Sequence, residues 1–143
     1  IISTVPGVPC VYQGDEYGIP GANDPDNRYM MSFDGYTEIE QAQKALTKEL
    51  IALRRTKMPL IYGDMKTLFL DGNLWVFARE YMGEYVVVAI NNGAAEVEAE
   101  CKLPAGYPMQ TLQCHFESAS TLEGESLKIK LAPYSFEVMT VAE

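Results

Sequence analysis

Two stretches of this sequence bring ionisable side chains close enough to cooperate. Asp15 and Glu16 are adjacent carboxylates, the residue type that general acid–base chemistry uses. Asp24-Pro25-Asp26-Asn27-Arg28 sets a carboxylate and a guanidinium four residues apart, a spacing that lets them close as a local ion pair, and Pro25 stiffens the turn between them. Asp24, Asp26 and Asn27 also raise calcium. The EF-hand template fails here, because Arg28 stands at its fifth position, Tyr29 where glycine is required and Gly35 where the bidentate glutamate belongs. No metal is expected among these residues. His115, the single histidine, stands in a strand-like run and reads as partly buried. Cys10, Cys101 and Cys114 are too few and too scattered for a zinc site or a disulfide framework and read as small buried hydrophobes, with a Cys101–Cys114 bridge as the lesser option.

These residues need elements to hold them. Val8–Tyr12, after Pro6-Gly7 and before Gly14, is a short apolar run of the kind buried on both faces in a parallel sheet. From Gly14 to Tyr36 the chain is dense in Gly, Asp, Asn and Pro and predicts a long loop, which in compact domains is usually functional or disordered. A helix is predicted over 37–57. Thr37 and Glu40 have capping-box spacing, Ile39, Ala42, Leu46, Leu50 and Leu53 form one apolar stripe, basic residues gather in the second half, and Pro59 follows.

From Gly63 the period changes to two. Leu74–Tyr81 and Glu84–Ile90 flank Met82-Gly83, a two-residue hairpin turn. Further strands are predicted at Met65–Leu70, Val97–Leu103, Met109–Phe116, Leu127–Leu131 and Ser135–Val141, which together read as an antiparallel β-sandwich. Trp75 alternates with Phe77, so it belongs on a core face rather than on an exposed platform with Tyr81 and Tyr85. A single strand and helix cannot bury themselves, so residues 1–62 call for further packing partners.

With 48% apolar and 22% charged residues, the composition is that of a packed globular protein. A net charge of −9 repels phosphate backbones and argues against nucleic acid, while being neutral toward uncharged sugars. No apolar run is long enough for a transmembrane helix. The opening Ile1-Ile2-Ser3-Thr4 reads as mid-sequence, so the chain is expected to be a piece of a longer protein, with any targeting signal upstream and its compartment open.

The order of motifs is specific. Pro6-Gly7-Val8-Pro9-Cys10-Val11-Tyr12-Gln13-Gly14-Asp15-Glu16-Tyr17-Gly18 resembles the last barrel strand of alpha-amylase-family glycoside hydrolases. Asn23-Asp24-Pro25-Asp26-Asn27-Arg28 with the following Met30-Met31 resembles the family's D-P-x-x-R loop, and Leu50–Arg54 its final barrel helix. Gly63-Asp64 is similar to the step into its C-terminal domain, and Leu127–Val138 to that domain's last hairpin.

The resemblance implies the end of a (β/α)8 barrel over 1–62 and an all-β C-terminal sandwich over 63–143. It implies a parent enzyme that cleaves alpha-glucosidic bonds in starch or maltooligosaccharides by a retaining mechanism with three acids. None of the family's motifs for those acids occurs here, so no catalytic residue is expected in this chain, and the family's calcium sites belong to absent parts of the barrel. Asp24 and Arg28 match positions that in many relatives hydrogen-bond a substrate sugar, as suits a carboxylate accepting from vicinal hydroxyls beside a forked guanidinium. The resemblance gives Glu16 a structural role tying loops, and Tyr12 and Tyr17 a place in the wall of the barrel end. The expected partners are an alpha-glucan and the rest of the barrel, with self-association of the piece alone. Alternatives are a transglycosylase or isomerase of the same family, such as a trehalose synthase or branching enzyme, a non-catalytic glucan-binding module, or a catalytically dead member serving as a structural protein.

Overall fold

The computed structural model describes residues 1–107 and 111–142. Helices α1 (Glu38–Thr56) and α2 (Met58–Tyr62) precede strands β1 (Asp64–Asp71), β2 (Leu74–Tyr81), β3 (Glu84–Asn91), β4 (Val97–Lys102), β5 (Leu112–Cys114), β6 (Thr121–Glu123), β7 (Ser126–Leu131) and β8 (Phe136–Val141). β1-β2-β3-β8-β5 form a five-stranded sheet and β4-β7-β6 a three-stranded one, with every pairing antiparallel. The expected sandwich is therefore present.

Its main core lies between the sheets, where Leu74, Val76, Ala78, Tyr85, Val87, Ala89 and Met139 meet Leu127, Ile129 and Leu131. The second face of the larger sheet is covered too. Phe77, Val86, Val88 and Val138 pack there with Leu60, Leu50, Leu53, Val5 and Trp75. Three layers result, helix on sheet on sheet. That is why β2 and β3 read as apolar runs: residues of both parities are buried.

The β2–β3 hairpin turns at Met82-Gly83, with Tyr81 opposite Glu84 and both turn residues at positive φ (53° and 85°), the type I′ geometry. Thr37 caps α1 through the expected capping box. Several expectations need correction. The helix ends before Pro59 as expected, at Thr56, but Pro59 also stands in the first turn of a second helix, α2, where proline's fixed φ and missing N–H are tolerated. Residues 8–12 form no strand, since no other described segment offers a ladder to pair with, and Val8, Val11 and Tyr12 are exposed. Cys10 is likewise exposed rather than buried, whereas Cys101 is buried and Cys114 half-buried, and all three are free thiols. The apolar stripe of α1 is half-covered at Leu46, Leu50 and Leu53 but open at Ile39 and Ala42. Of the run predicted over Met109–Phe116, Met109 and Gln110 lie outside the described residues and only Leu112–Cys114 is strand. β6 is an addition to the predicted set.

Candidate functional site

The long loop folds as two linked turns. In the first, the Tyr12 N–H donates to Asp15 Oδ2 (3.0 Å), the Gly14 N–H to Glu16 Oε2 (2.9 Å) and the Ile19 N–H back to the Gly14 carbonyl (3.0 Å). Gly14 is required: its φ is +93°, and a Cβ there would fall 2.4 Å from the Ile19 side chain. Asp15 and Glu16 thus serve the backbone of their own turn. Thr47 on α1 ties this turn to the helix by donating to the Glu16 carbonyl (3.2 Å). Tyr17 is buried against Tyr36, and its hydroxyl accepts from the Ser32 N–H (3.1 Å), so it is wall rather than platform.

In the second turn, the Asp26 N–H donates to the Asn23 carbonyl and the Arg28 N–H to the Pro25 carbonyl, around a cis Asp24–Pro25 bond. Arg28 Nη2 donates to Asp24 Oδ2 at 3.0 Å, with the two side chains 72% and 61% exposed. An ion pair this exposed contributes about 0–1 kcal/mol. One carboxylate oxygen and one guanidinium nitrogen are engaged, and the remaining donors and acceptors have no protein partner among the described residues. Gln13 Nε2 bridges the turns by donating to the Tyr29 carbonyl (3.1 Å).

Between the turns lies an open groove of about 600 Å³, lined by Tyr12, Gln13, Asp15, Asp24, Arg28 and Tyr29 among others. Its polar tips and exposed tyrosine rings suit a neutral, hydroxyl-rich ligand: rings for apolar sugar faces, a carboxylate and a guanidinium for hydroxyls. The structure thus brings Asp24 and Arg28 together on one groove. The contributions of Gln13 and Tyr29 escape sequence reasoning, because the Gln13 contact is to a backbone carbonyl sixteen residues away.

The other residues singled out have structural surroundings. The His115 ring contacts Thr140 Oγ1 (2.8 Å), and its backbone N–H donates to the buried Glu137 carboxylate. The Trp75 ring packs on Phe77, with ring centroids 4.5 Å apart, and its Nε1 donates to Thr67, in keeping with a core-facing residue. Among the described residues no group of three or more His, Cys, Asp or Glu side chains is arranged to hold a metal ion. No helix of the described chain is long and apolar enough to cross a membrane.

Two buried arginines hold the base of the loop segment. Arg54 of α1 donates through Nη1 to the carbonyls of Ser3 (3.0 Å) and Val5 (3.1 Å), and through Nη2 to that of Gly7 (2.5 Å). Arg79 of β2 donates through Nε and Nη2 to the Gly63 carbonyl (3.1 and 2.7 Å) and through Nη1 to the Thr4 carbonyl (2.6 Å). Burial holds both guanidinium groups below the usual arginine range; at Arg79, repulsion from Arg54 acts in the same direction and the Asp64 carboxylate opposes it.

Comparison with known proteins adds to this geometry. Residues 63–131 match the alpha-amylase C-terminal domain family model. The chain is similar to a cyclomaltodextrinase of Geobacillus thermopakistaniensis, 34% identical over 142 residues, covering 96% of this chain and 24% of that relative. It is 33% identical over 133 residues to neopullulanase 2 of Thermoactinomyces vulgaris, covering 90% of this chain and 22% of that one. Among solved structures it superposes on the native form of the Nostoc punctiforme debranching enzyme with a TM-score of 0.82 and 30% identity, over 98% of this chain and 29% of that chain. The chain therefore spans about a quarter of the length of these proteins.

Proposed function

Since residues 63–131 are an alpha-amylase C-terminal domain and the chain is homologous along its length to alpha-amylase-family glycoside hydrolases, we propose that it is the C-terminal part of an enzyme acting on alpha-glucosidic bonds in starch or maltooligosaccharides. In this reading the catalytic nucleophile and the acid–base residue lie outside this chain, and the parent hydrolyses with retention, one carboxylate attacking the sugar and a second serving as acid and then base. This chain contributes one wall of the glucan cleft. Asp24 accepts from sugar hydroxyls, Arg28 donates to sugar oxygens, and the exposed Val8, Val11, Met30 and Phe33 meet the rest of the barrel. Left alone, those exposed apolar residues favour self-association.

The observation that carries the reading is the exposed Asp24–Arg28 pair on the tyrosine-lined groove, in a chain related to the family throughout. Its test is kinetic. In the complete gene product, Asp24→Ala and Arg28→Ala each remove a charge-assisted hydrogen bond of about 1.5–3 kcal/mol, a loss of about ten- to hundredfold in kcat/KM on long maltooligosaccharides, with a smaller loss on the shortest substrates. The double variant loses less than the sum, because the two side chains also bond each other. The chain by itself turns over no nitrophenyl maltooligosaccharide. Wild-type kcat/KM in both single variants, accompanied by large destabilisation, would make the pair a structural clip. A second reading, glucan transfer rather than hydrolysis, is favoured by the similarity to a cyclomaltodextrin glucanotransferase of Geobacillus stearothermophilus, 34% identical over 95 residues, and the ratio of transfer to hydrolysis products separates the two.

A further inference from the structure

We propose that Arg54 and Arg79 are positioning residues, which together seat the base of the groove-bearing segment on the sandwich, so that the sandwich sets where the groove stands. Arg79 lies in the second half of β2, fully buried on the helix-side face of the larger sheet, and reaches across to Thr4, while Arg54 grips the same stretch from α1 at Ser3, Val5 and Gly7. Among the described residues, both guanidinium groups donate to backbone carbonyls alone. A carboxylate partner would neutralise a buried charge at one point. Carbonyls along residues 3–7, together with Gly63, instead specify the path of the main chain.

Beyond Gly7, the main chain makes no hydrogen bond to another described residue until the turn at Tyr12–Asp15. Residues 8–12 join no sheet, and α1's direct hold on the turn comes at Thr47 on the Glu16 carbonyl. The direction in which the segment leaves Gly7 therefore acts with the Thr47 contact to set where Tyr12 and Gln13, one wall of the groove, are placed. Gly63, whose carbonyl takes two bonds from Arg79, stands between α2 and β1, so the same side chain also locks that junction. The part of this inference that concerns the cleft rests on the glucan reading above; the clamp itself does not.

The test has two arms. In the first, spin labels are placed on exposed Cys10 and on Met82→Cys at the tip of the β2–β3 turn, with Cys101 and Cys114 replaced by alanine, and the label-to-label distance distribution is measured with the labelled chain diluted in excess unlabelled chain, so that only distances within one chain are read. A single narrow distribution is expected. Arg79→Lys and Arg54→Lys, which keep the charge but lose the fork, broaden or split it at temperatures where the near-ultraviolet signal of Trp75 is still native. A distribution unchanged in both variants overturns the clamp, as does broadening that appears only together with loss of the Trp75 signal. Arg54→Lys keeps the test decisive if the Arg79 variant fails to fold, because Arg54 lies outside the sheets.

In the second arm, the same lysine variants in the complete gene product lose about ten- to hundredfold in kcat/KM on long maltooligosaccharides, as displaced cleft contacts do, and less on the shortest glucosides. A merely structural role lowers both alike through the amount of folded enzyme, and that result overturns the positioning claim. If the unsubstituted gene product turns over no glucan, the glucan reading fails, and the label distances still decide the clamp.

Discussion

Replacing Gly63 by alanine probes the junction between helix layer and sandwich. Gly63 has φ −67° and ψ 150°, a conformation any residue adopts without strain. By the unfolded-state argument alone, Gly→Ala at such a position stabilises by about 0.4–1 kcal/mol. Space decides otherwise. A Cβ at Gly63 would lie 2.4 Å from the Pro59 carbonyl oxygen and 2.7 Å from that of Glu80. Neither oxygen is free to retreat, since the first accepts the C-capping N–H of α2 and the second sits in β2 opposite Asp64. The chain must swing away, and the Gly63 carbonyl, which takes two bonds from buried Arg79, moves with it. Overpacking costs about 1–3 kcal/mol and weakening a bond to a buried charge adds about 1–2 kcal/mol, so the net loss is about 2–4 kcal/mol. Urea unfolding followed by Trp75 fluorescence reads this as a lower midpoint at unchanged slope. Gly72→Ala, at φ +53° with open space around it, costs only about 1–2 kcal/mol. A Gly63→Ala protein as stable as the parent, or more stable, refutes the reasoning.

Three further outcomes are expected. Glu137 is fully buried and accepts from the backbone N–H groups of His115, Phe116, Ser118 and Val138; Glu137→Gln turns one acceptor into a donor facing donors and destabilises by about 2–4 kcal/mol, measured by thermal unfolding. Met82 holds φ 53° at the first position of a type I′ turn, so Met82→Asn raises stability by about 0.5–1 kcal/mol, seen as a shift in the urea midpoint. Burial pushes the Cys101 and Cys114 thiols up, so at pH 8 a disulfide reagent titrates one thiol quickly in the folded chain, that of exposed Cys10, and all three after denaturation; three fast thiols in the folded state contradict the packing.

Much of the architecture was legible because local chemistry and tertiary need agree. Thr37 and Glu40 mark a helix start that the capping box realises, and alternation around Met82-Gly83 marks a hairpin that the register confirms from Leu74 to Asn91. Where pattern and environment part, the reading fails. Val8–Tyr12 has the composition of a buried strand, but a strand exists only with a neighbour, and none is described. β6 is three residues, Thr121–Glu123, too short to show a period. At the candidate site, Asp24 and Arg28 announce themselves by charge and spacing. The roles of Arg54 and Arg79 do not, because their partners are backbone carbonyls 47 to 51 residues away for Arg54 and 75 for Arg79's bond to Thr4. A carbonyl has no side-chain identity to read.

The strand order of the larger sheet bears on how freely this unit could be shuffled between genes. The stretch recognised as a domain ends at residue 131, yet β8, at Phe136–Val141, lies between β3 and β5, inside the sheet rather than at its margin. The upstream limit at residue 63 is no cleaner. A cut there strips Leu60 and α1 from Phe77, Val86 and Val88, and leaves Arg79 without Thr4. A graft bounded by the recognisable stretch would carry a split sheet and a bare hydrophobic face, with Arg79 holding Gly63 alone. The contacts that complete the sandwich thus run beyond its sequence signature, forward to β8 and back through the helices to Thr4 and Val5.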